Sequence, residues 1–461
     1  MNKLQAGYAV LDITPALGTG IAGYYKVRKA DGVLDNLQVV ALALRVEDTT
    51  AVILSTDLCL IDTAECNLLR QAVCKATGLP MSAVMIHATH THTSPYVLSA
   101  DLPVNKNMHG MEANHDFTPE FEYFRLLSSR VADAAKLAID DLKPAKMGWA
   151  VGSAPNIAFV RRFRMKDGKV RTNPGVGNPD ILAPIGDVDE RVNVLRFDRE
   201  GDSLVLVNFG DHPDVVGGCK LSGDWPHLLR IRLEKALDNV KCIFVNGAQG
   251  DVNHVNVNAK DGDWNDLEND FDDVARGYGH ARHMGNVVAG AVMQVFDKVN
   301  YVDVDYLAAT EQVAQIPSNM PKPEELPEAR RIHELHMAGK DDEIPFEGME
   351  LTTVVAEAAR MLRYEHGPAQ FDMSFTALAI GNIALFGIPG EPFTGIGRGI
   401  KEAEGWTLVL PMCLTNGSDG YFPMKEAYDE GGYESRSSRF KAGVAERIIE
   451  EGKQILSQLR K

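Results

Sequence analysis

The chain has 461 residues, 45% hydrophobic, 24% charged and 7% aromatic, with 41 glycines, a globular composition that excludes a disordered, fibrous or low-complexity protein. Lys and Arg number 47 against 64 Asp and Glu, giving a net charge of −17. That field repels phosphate backbones and anionic lipid, and with no basic stripe in the sequence it argues against nucleic acid as a partner and against stable membrane association.

The opening residues, Met1 to Val10, carry no apolar export core. The longest apolar runs fall short of the roughly 20 residues that span a bilayer, so the expected location is cytoplasmic. Along the chain, strands are expected at 37–46 and 51–56, a helix at 63–76, a strand at 83–87 and a helix at 119–142. Strands at 192–197 and 203–209 precede a helix at 226–237, a strand at 240–245 and helices at 274–296, 323–337 and 350–363. Strands at 372–379, 383–388 and 406–410 and a helix at 439–459 complete the pattern. Apolar runs alternating with helical-period segments predict an α/β fold, with helices covering a mixed sheet.

Two stretches interrupt this rhythm. Residues 261–273 form an acidic stretch expected to be a solvated loop, and 316–345 carries five prolines and many charges, as expected of a helical excursion over 316–365. Neither marks a convincing boundary, so residues 1–461 are read as one catalytic unit, with residue 310 the place where it would divide. Six cysteines, Cys59, Cys66, Cys74, Cys219, Cys242 and Cys413, form no CxxC pair. They fit reduced thiols rather than a disulfide framework or a thiolate zinc site.

Several strands end in polar clusters: Ser55-Thr56-Asp57, His87 through Pro95, Asn208 through Pro213, Asn246 through His254, and Ile388 through Pro392. Open α/β sheets bind ligands at the carboxyl ends of their strands, so five such ends imply one shared site. Imidazoles and carboxylates from separate strand ends, without thiolates, suit a catalytic zinc that keeps one position open. His90 and His92 lie two apart and share a face of an extended segment. A polar loop is the competing reading of that segment alone, and His212 and Glu391 at other strand ends tip the balance towards a site. His280, His283, His333 and His336 have i,i+3 spacing in charged helical context and read as surface or structural residues.

The landmarks Ala6-Gly7 followed by Asp12-Ile13-Thr14-Pro15, Gly23-Tyr24, Thr89-His90-Thr91-His92 with Ser94-Pro95, the His212 segment, Gly250-Asp251-Val252, Pro389-Gly390-Glu391, and Tyr421 through Tyr433 occur in that order over nearly the whole chain. Together they resemble the neutral/alkaline non-lysosomal ceramidases. The resemblance implies a large mixed-sheet α/β hydrolytic domain of the neutral ceramidase N-terminal type. The sequence ends where the family's C-terminal β-sandwich would begin, so that domain is not expected here. The resemblance further implies a single Zn2+ held by His90, His212, Glu391 and Tyr421, with His92 and Tyr433 lining the substrate carbonyl. Arg161 falls where the family has a substrate-facing arginine. The competing reading places the cluster Arg161-Arg162-Phe163-Arg164 in a solvated hairpin around Lys166-Asp167-Gly168-Lys169.

One position departs from the pattern. The family has a proposed serine nucleophile after Gly-Asp-Val, and this chain has Asn253. An amide side chain cannot form an acyl-enzyme, so the expected chemistry is attack by metal-bound water, with Asn253 at most a hydrogen-bond donor. Zinc lowers the pKa of water from ~15.7 to ~7, and a histidine near its ordinary value of ~6.5, such as His92, protonates the departing amine. The expected function is therefore a zinc-dependent hydrolase cleaving a C–N amide bond in a small polar substrate. An esterase or lactonase on the same metal, or a catalytically silent ligand-binding relative, are the alternatives. Loops 105–114 and 175–187 are assigned to substrate choice, and oligomeric state is left open.

Overall fold

The computed structural model describes residues 3–25, 28–104, 115–264 and 277–460. The loop at 105–114, most of the acidic stretch 261–273 and the first residues of the helix expected at 274–296 lie outside the described residues. The protein is built on a nine-stranded mixed sheet, in the order Val240–Asn246, Asp202–Phe209, Arg191–Arg199, Lys143–Ser153, Leu4–Asp12, Gln38–Val46, Thr49–Thr56 and Val84–Ala88, with Asn300–Val302 beside Lys143–Ser153. The outermost pair on each side is parallel and the rest are antiparallel. The sheet curls until its edges meet: the Asn246 N–H donates to His87 Nε2 at 2.9 Å and the Ser55 hydroxyl to the Phe244 carbonyl at 2.5 Å.

Side-chain alternation decides the layers. On Gln38–Val46, Val39, Ala41 and Ala43 face one core, and Val40, Leu42, Leu44 and Val46 face another. The first face is covered by helices Thr63–Thr77 and Thr118–Asp140, and helices Asp224–Ala236 and Tyr278–Phe296 cover the Asp202–Phe209 side in the same way. The second face packs on a four-stranded sheet ordered Leu307–Pro317, Gln370–Ile380, Ile383–Gly387 and Leu408–Met412. Helices Thr394–Lys401 and Val444–Leu459 close the far side of that sheet. With both faces covered, these strands are apolar on both faces, and each fully buried Val, Leu, Ile or Phe contributes roughly 1.5–3 kcal/mol. Near residue 310 the chain passes from the large sheet to the small one, and the two sheets share a core.

The helical excursion lies between the first two strands of the small sheet. Helices Leu326–Met337 and Gly348–Arg363 pack on each other through Ile332, Val354, Val355 and Met361. No described helix is long and apolar enough to cross a membrane.

Candidate functional site

Five strands, Val84–Ala88, Asp202–Phe209, Val240–Asn246, Ile383–Gly387 and Leu408–Met412, send their carboxyl-terminal segments to one place. His90 follows the first, in a left-handed conformation (φ 84°) uncommon for a residue with a Cβ. It is held there by its N–H to the Leu58 carbonyl (2.8 Å) and by Nδ1 to the Cys59 carbonyl (2.7 Å). His212 follows the second strand, with Nδ1 2.8 Å from the Gln249 carbonyl, which the third strand brings in. Glu391 leaves the fourth strand through Pro389-Gly390 and pairs with Tyr421, which follows the fifth. Glycine is required at 390, where φ is 157° and a Cβ would stand 2.6 Å from the Gly420 carbonyl oxygen. A Cβ at Gly250 would likewise stand 2.5 Å from the Glu391 carbonyl oxygen.

Donation to a carbonyl puts the proton of both imidazoles on Nδ1, so both Nε2 atoms turn a lone pair inward. They lie 3.2 Å apart, and Glu391 Oε2 is 3.3 Å from His90 Nε2 and 3.2 Å from His212 Nε2. Four donors at ~2.0 Å around a tetrahedral zinc are separated by ~3.3 Å. Three buried donors with those separations fit such an ion. Cys59 and His92 also gather around His90, but Cys59 Sγ approaches His90 Nδ1 (3.8 Å), the nitrogen already committed to a carbonyl.

Charge within this cluster is strongly coupled. Burial alone would raise Glu391, yet the facing His90 and His212 hold it well below the usual carboxylate range. His90, against its own burial, is raised by Glu391, whereas burial and then the Arg161 guanidinium push His212 down to about 4. Burial, followed by the charges of His90 and His212, holds His92 well below its ordinary value. The sequence reading had His92 near that ordinary value. The difference arises because its ring is enclosed beside a positive centre, so it rests neutral.

The remaining expected residues divide. His92 Nε2 lies 3.2 Å from His90 Nε2, and its Nδ1 faces Asp214 at 3.7 Å. Tyr421 stacks on His212 (6.5 Å between centroids), and its phenol is raised by burial and by Glu391. Arg161 is buried, with Nε 2.7 Å from Glu434, an Nη donating to the Gly250 carbonyl at 2.6 Å and its Cζ 5.2 Å from the Tyr421 ring centroid. Arg162 turns instead to Glu430 and the Gly431 carbonyl, and Arg164 is exposed, so the hairpin reading holds for Arg164 and fails for Arg161. Tyr433 follows the positive-φ pair Gly431-Gly432 and meets the Tyr25 hydroxyl at 3.2 Å. Asn253 is the residue the structure does not bring in. Its Nδ2 donates to Asn173 Oδ1 (2.9 Å) and its Oδ1 accepts the Val255 N–H (3.0 Å), a local turn.

A cavity of about 950 Å3 opens onto the cluster and is lined by His90, His92, His212, Arg161, Tyr421 and Tyr433 among others. The helical excursion contributes Thr352, Ala356, Arg360 and Arg363 to its lining. Several residues on or behind the wall have no assignment from the sequence. Tyr24 donates to Asp214 Oδ1 at 2.6 Å, Gln249 reaches Glu391, and Glu434 fixes Arg161. Asp214 stands two residues after His212, the spacing of His92 from His90, and that echo was the available signal.

The whole chain superposes on the crystal structure of neutral ceramidase from Pseudomonas aeruginosa with a TM-score of 0.71, at 17% identity, covering 76% of that chain. The chain has the neutral ceramidase fold. A ceramidase complexed with C2 matches at a TM-score of 0.68 and 16% identity, again over 100% of this chain and 76% of the other. No family model and no curated protein sequence matches it. In this fold Gly23-Tyr24, His90, His92, His212, Glu391, Tyr421 and Tyr433 line the cavity, and the Gly250 carbonyl stands behind it, accepting from Arg161.

Proposed function

We propose that the protein is a zinc-dependent hydrolase that cleaves a C–N amide bond in a small substrate. The observation that carries this reading is the triangle of His90 Nε2, His212 Nε2 and Glu391 Oε2, with edges of 3.2–3.3 Å at the floor of a cavity. Tyr421, paired in register with Glu391, is the candidate fourth donor. When bound, such an ion supplies Lewis acidity, polarising a carbonyl and acidifying water.

The residues around it supply the rest. Neutral His92 takes a proton from water as its oxygen attacks the carbonyl carbon, and delivers that proton to the departing nitrogen as the C–N bond breaks. Arg161, fixed by Glu434 and the Gly250 carbonyl, and the Tyr433 hydroxyl offer donors to the developing oxyanion. No covalent intermediate with Asn253 is invoked. The test is hydrolysis of a panel of short amides by zinc-loaded protein, with turnover expected to vanish on chelation and return with zinc. Cleavage of esters alone moves the reading to an esterase, and chelator-insensitive turnover removes the metal from it.

A further inference from the structure

Among the described residues the cavity lining carries more arginines than carboxylates, six against four, although the chain as a whole carries a net charge of −17. One of those carboxylates, Glu391, belongs to the candidate metal cluster. Three of the arginines are neutralised locally: Arg161 by Glu434, Arg330 by Glu365 and Arg439 by Asp419. Arg28, Arg360 and Arg363 have no carboxylate within 4.0 Å among the described residues.

Arg360 is the informative member. It is 8% exposed and donates to the Arg436 and Asn319 carbonyls at 2.8 and 2.7 Å, which orient its guanidinium without cancelling the charge. Glu357 and Glu325 act on it only from beyond contact, and Glu357 is itself paired with Arg436 at 2.6 Å; a ligand that brings a contacting counterion recovers part of the cost of burying the charge. Arg363 lies one turn further along Gly348–Arg363, on the same face, beside the Tyr364 ring (5.5 Å). The residues preceding them on that face, Thr352, Ala356 and Ala359, are small and leave room in front of the two guanidiniums.

Building on the amide-hydrolase reading, we infer that the substrate carries a carboxylate, received by Arg360 and Arg363 on the cavity wall opposite the zinc-ligand strand ends. The substrate class is thus an acidic amide, either an N-acyl amino acid or the half-amide of a dicarboxylic acid. Planar guanidiniums suit a carboxylate through paired N–H donors, and the small apolar residues suit the short chain joining it to the amide.

The test compares two matched pairs on the zinc-loaded full chain: N-hexanoylglycine against its methylamide, and adipic half-anilide against hexananilide. For at least one pair the acid is expected to show a kcat/KM about 10- to 100-fold higher, carried by KM, the worth of one or two charge-assisted hydrogen bonds. Arg363→Gln, on an exposed part of the helix, should collapse that ratio towards one, as should Arg360→Gln if it folds. Equal kcat/KM for acid and neutral partners in both pairs overturns the carboxylate site and leaves the amidase reading standing. If none of the four compounds is cleaved, the amidase reading fails. The site is then judged by thermal stabilisation of zinc-free protein, where preference for the acids, lost in Arg363→Gln, supports it and no preference overturns it.

Discussion

Two side chains separate chemistry from architecture. His92 is adjacent to the metal-ligand nitrogens, yet its Nδ1 faces Asp214 rather than a backbone carbonyl. His92→Ala is therefore expected to retain zinc and lose about 10²–10⁴-fold in kcat, the usual worth of a general acid–base. Zinc content measured beside kcat checks it, and loss of the metal would make His92 a ligand. Asn253 gives the opposite expectation. Because its amide closes a turn and holds Asn173, Asn253→Ala should cost stability of about 1 kcal/mol and leave kcat within roughly tenfold. Inactivation with an intact fold and metal would contradict that assignment. Gly23 is the third case. At φ 106°, a Cβ would sit 2.7 Å from His92 Nδ1, so Gly23→Ala should displace the His92 ring and lower kcat without emptying the metal site.

Among the elements, those that hold the site rest on buried polar contacts as well as on packing. Asp57, at the end of Thr49–Thr56, is gripped by Arg230 of Asp224–Ala236 at 2.6 and 2.8 Å. Asp57→Asn leaves that arginine without its buried counterion and should cost about 3–5 kcal/mol in a denaturant titration. Burial would raise Asp57, but Arg230 and His227 hold it at about 2, below the ~3.9 of an unfolded chain. The folded form is thus favoured by the ionised carboxylate. That contribution is fully present above about pH 4 and fades as the pH falls towards 2, a loss the Asn variant should not show. The nine strands expected from the sequence are all present, because each is an apolar run buried on both faces. Among the remaining described strands, the three of nine residues or more were illegible. Leu307–Pro317 is rich in Ala and Gln and becomes a strand through its eleven-residue pairing with Gln370–Ile380. Lys143–Ser153 is interrupted by Gly148 and Gly152, and the latter is glycine because a Cβ would meet the Ala291 carbonyl oxygen at 2.5 Å. Leu4–Asp12, a central strand, mixes exposed and buried positions at irregular spacing.

For the whole molecule, the place of the candidate site was legible because its residues stand at the ends of readable strands; the choice of His90, His212 and Glu391 among the imidazoles and carboxylates gathered there came from the resemblance to the ceramidases. The arginines of the excursion were not legible, since only long-range packing carries a helix between two strands of the small sheet to the cavity, and Glu434 was not, since its pairing with Arg161 joins residues 273 positions apart. The account as a whole turns on one ion bound by residues more than 300 positions apart in the chain, His90 and Glu391. Anomalous diffraction across the zinc edge, from crystals of protein purified without chelator, tests it most directly. One peak per chain is predicted, at about 2.0–2.2 Å from His90 Nε2, His212 Nε2 and Glu391 Oε2. A zinc-saturated crystal with no peak at that point, or with its peak on another set of residues, would contradict it.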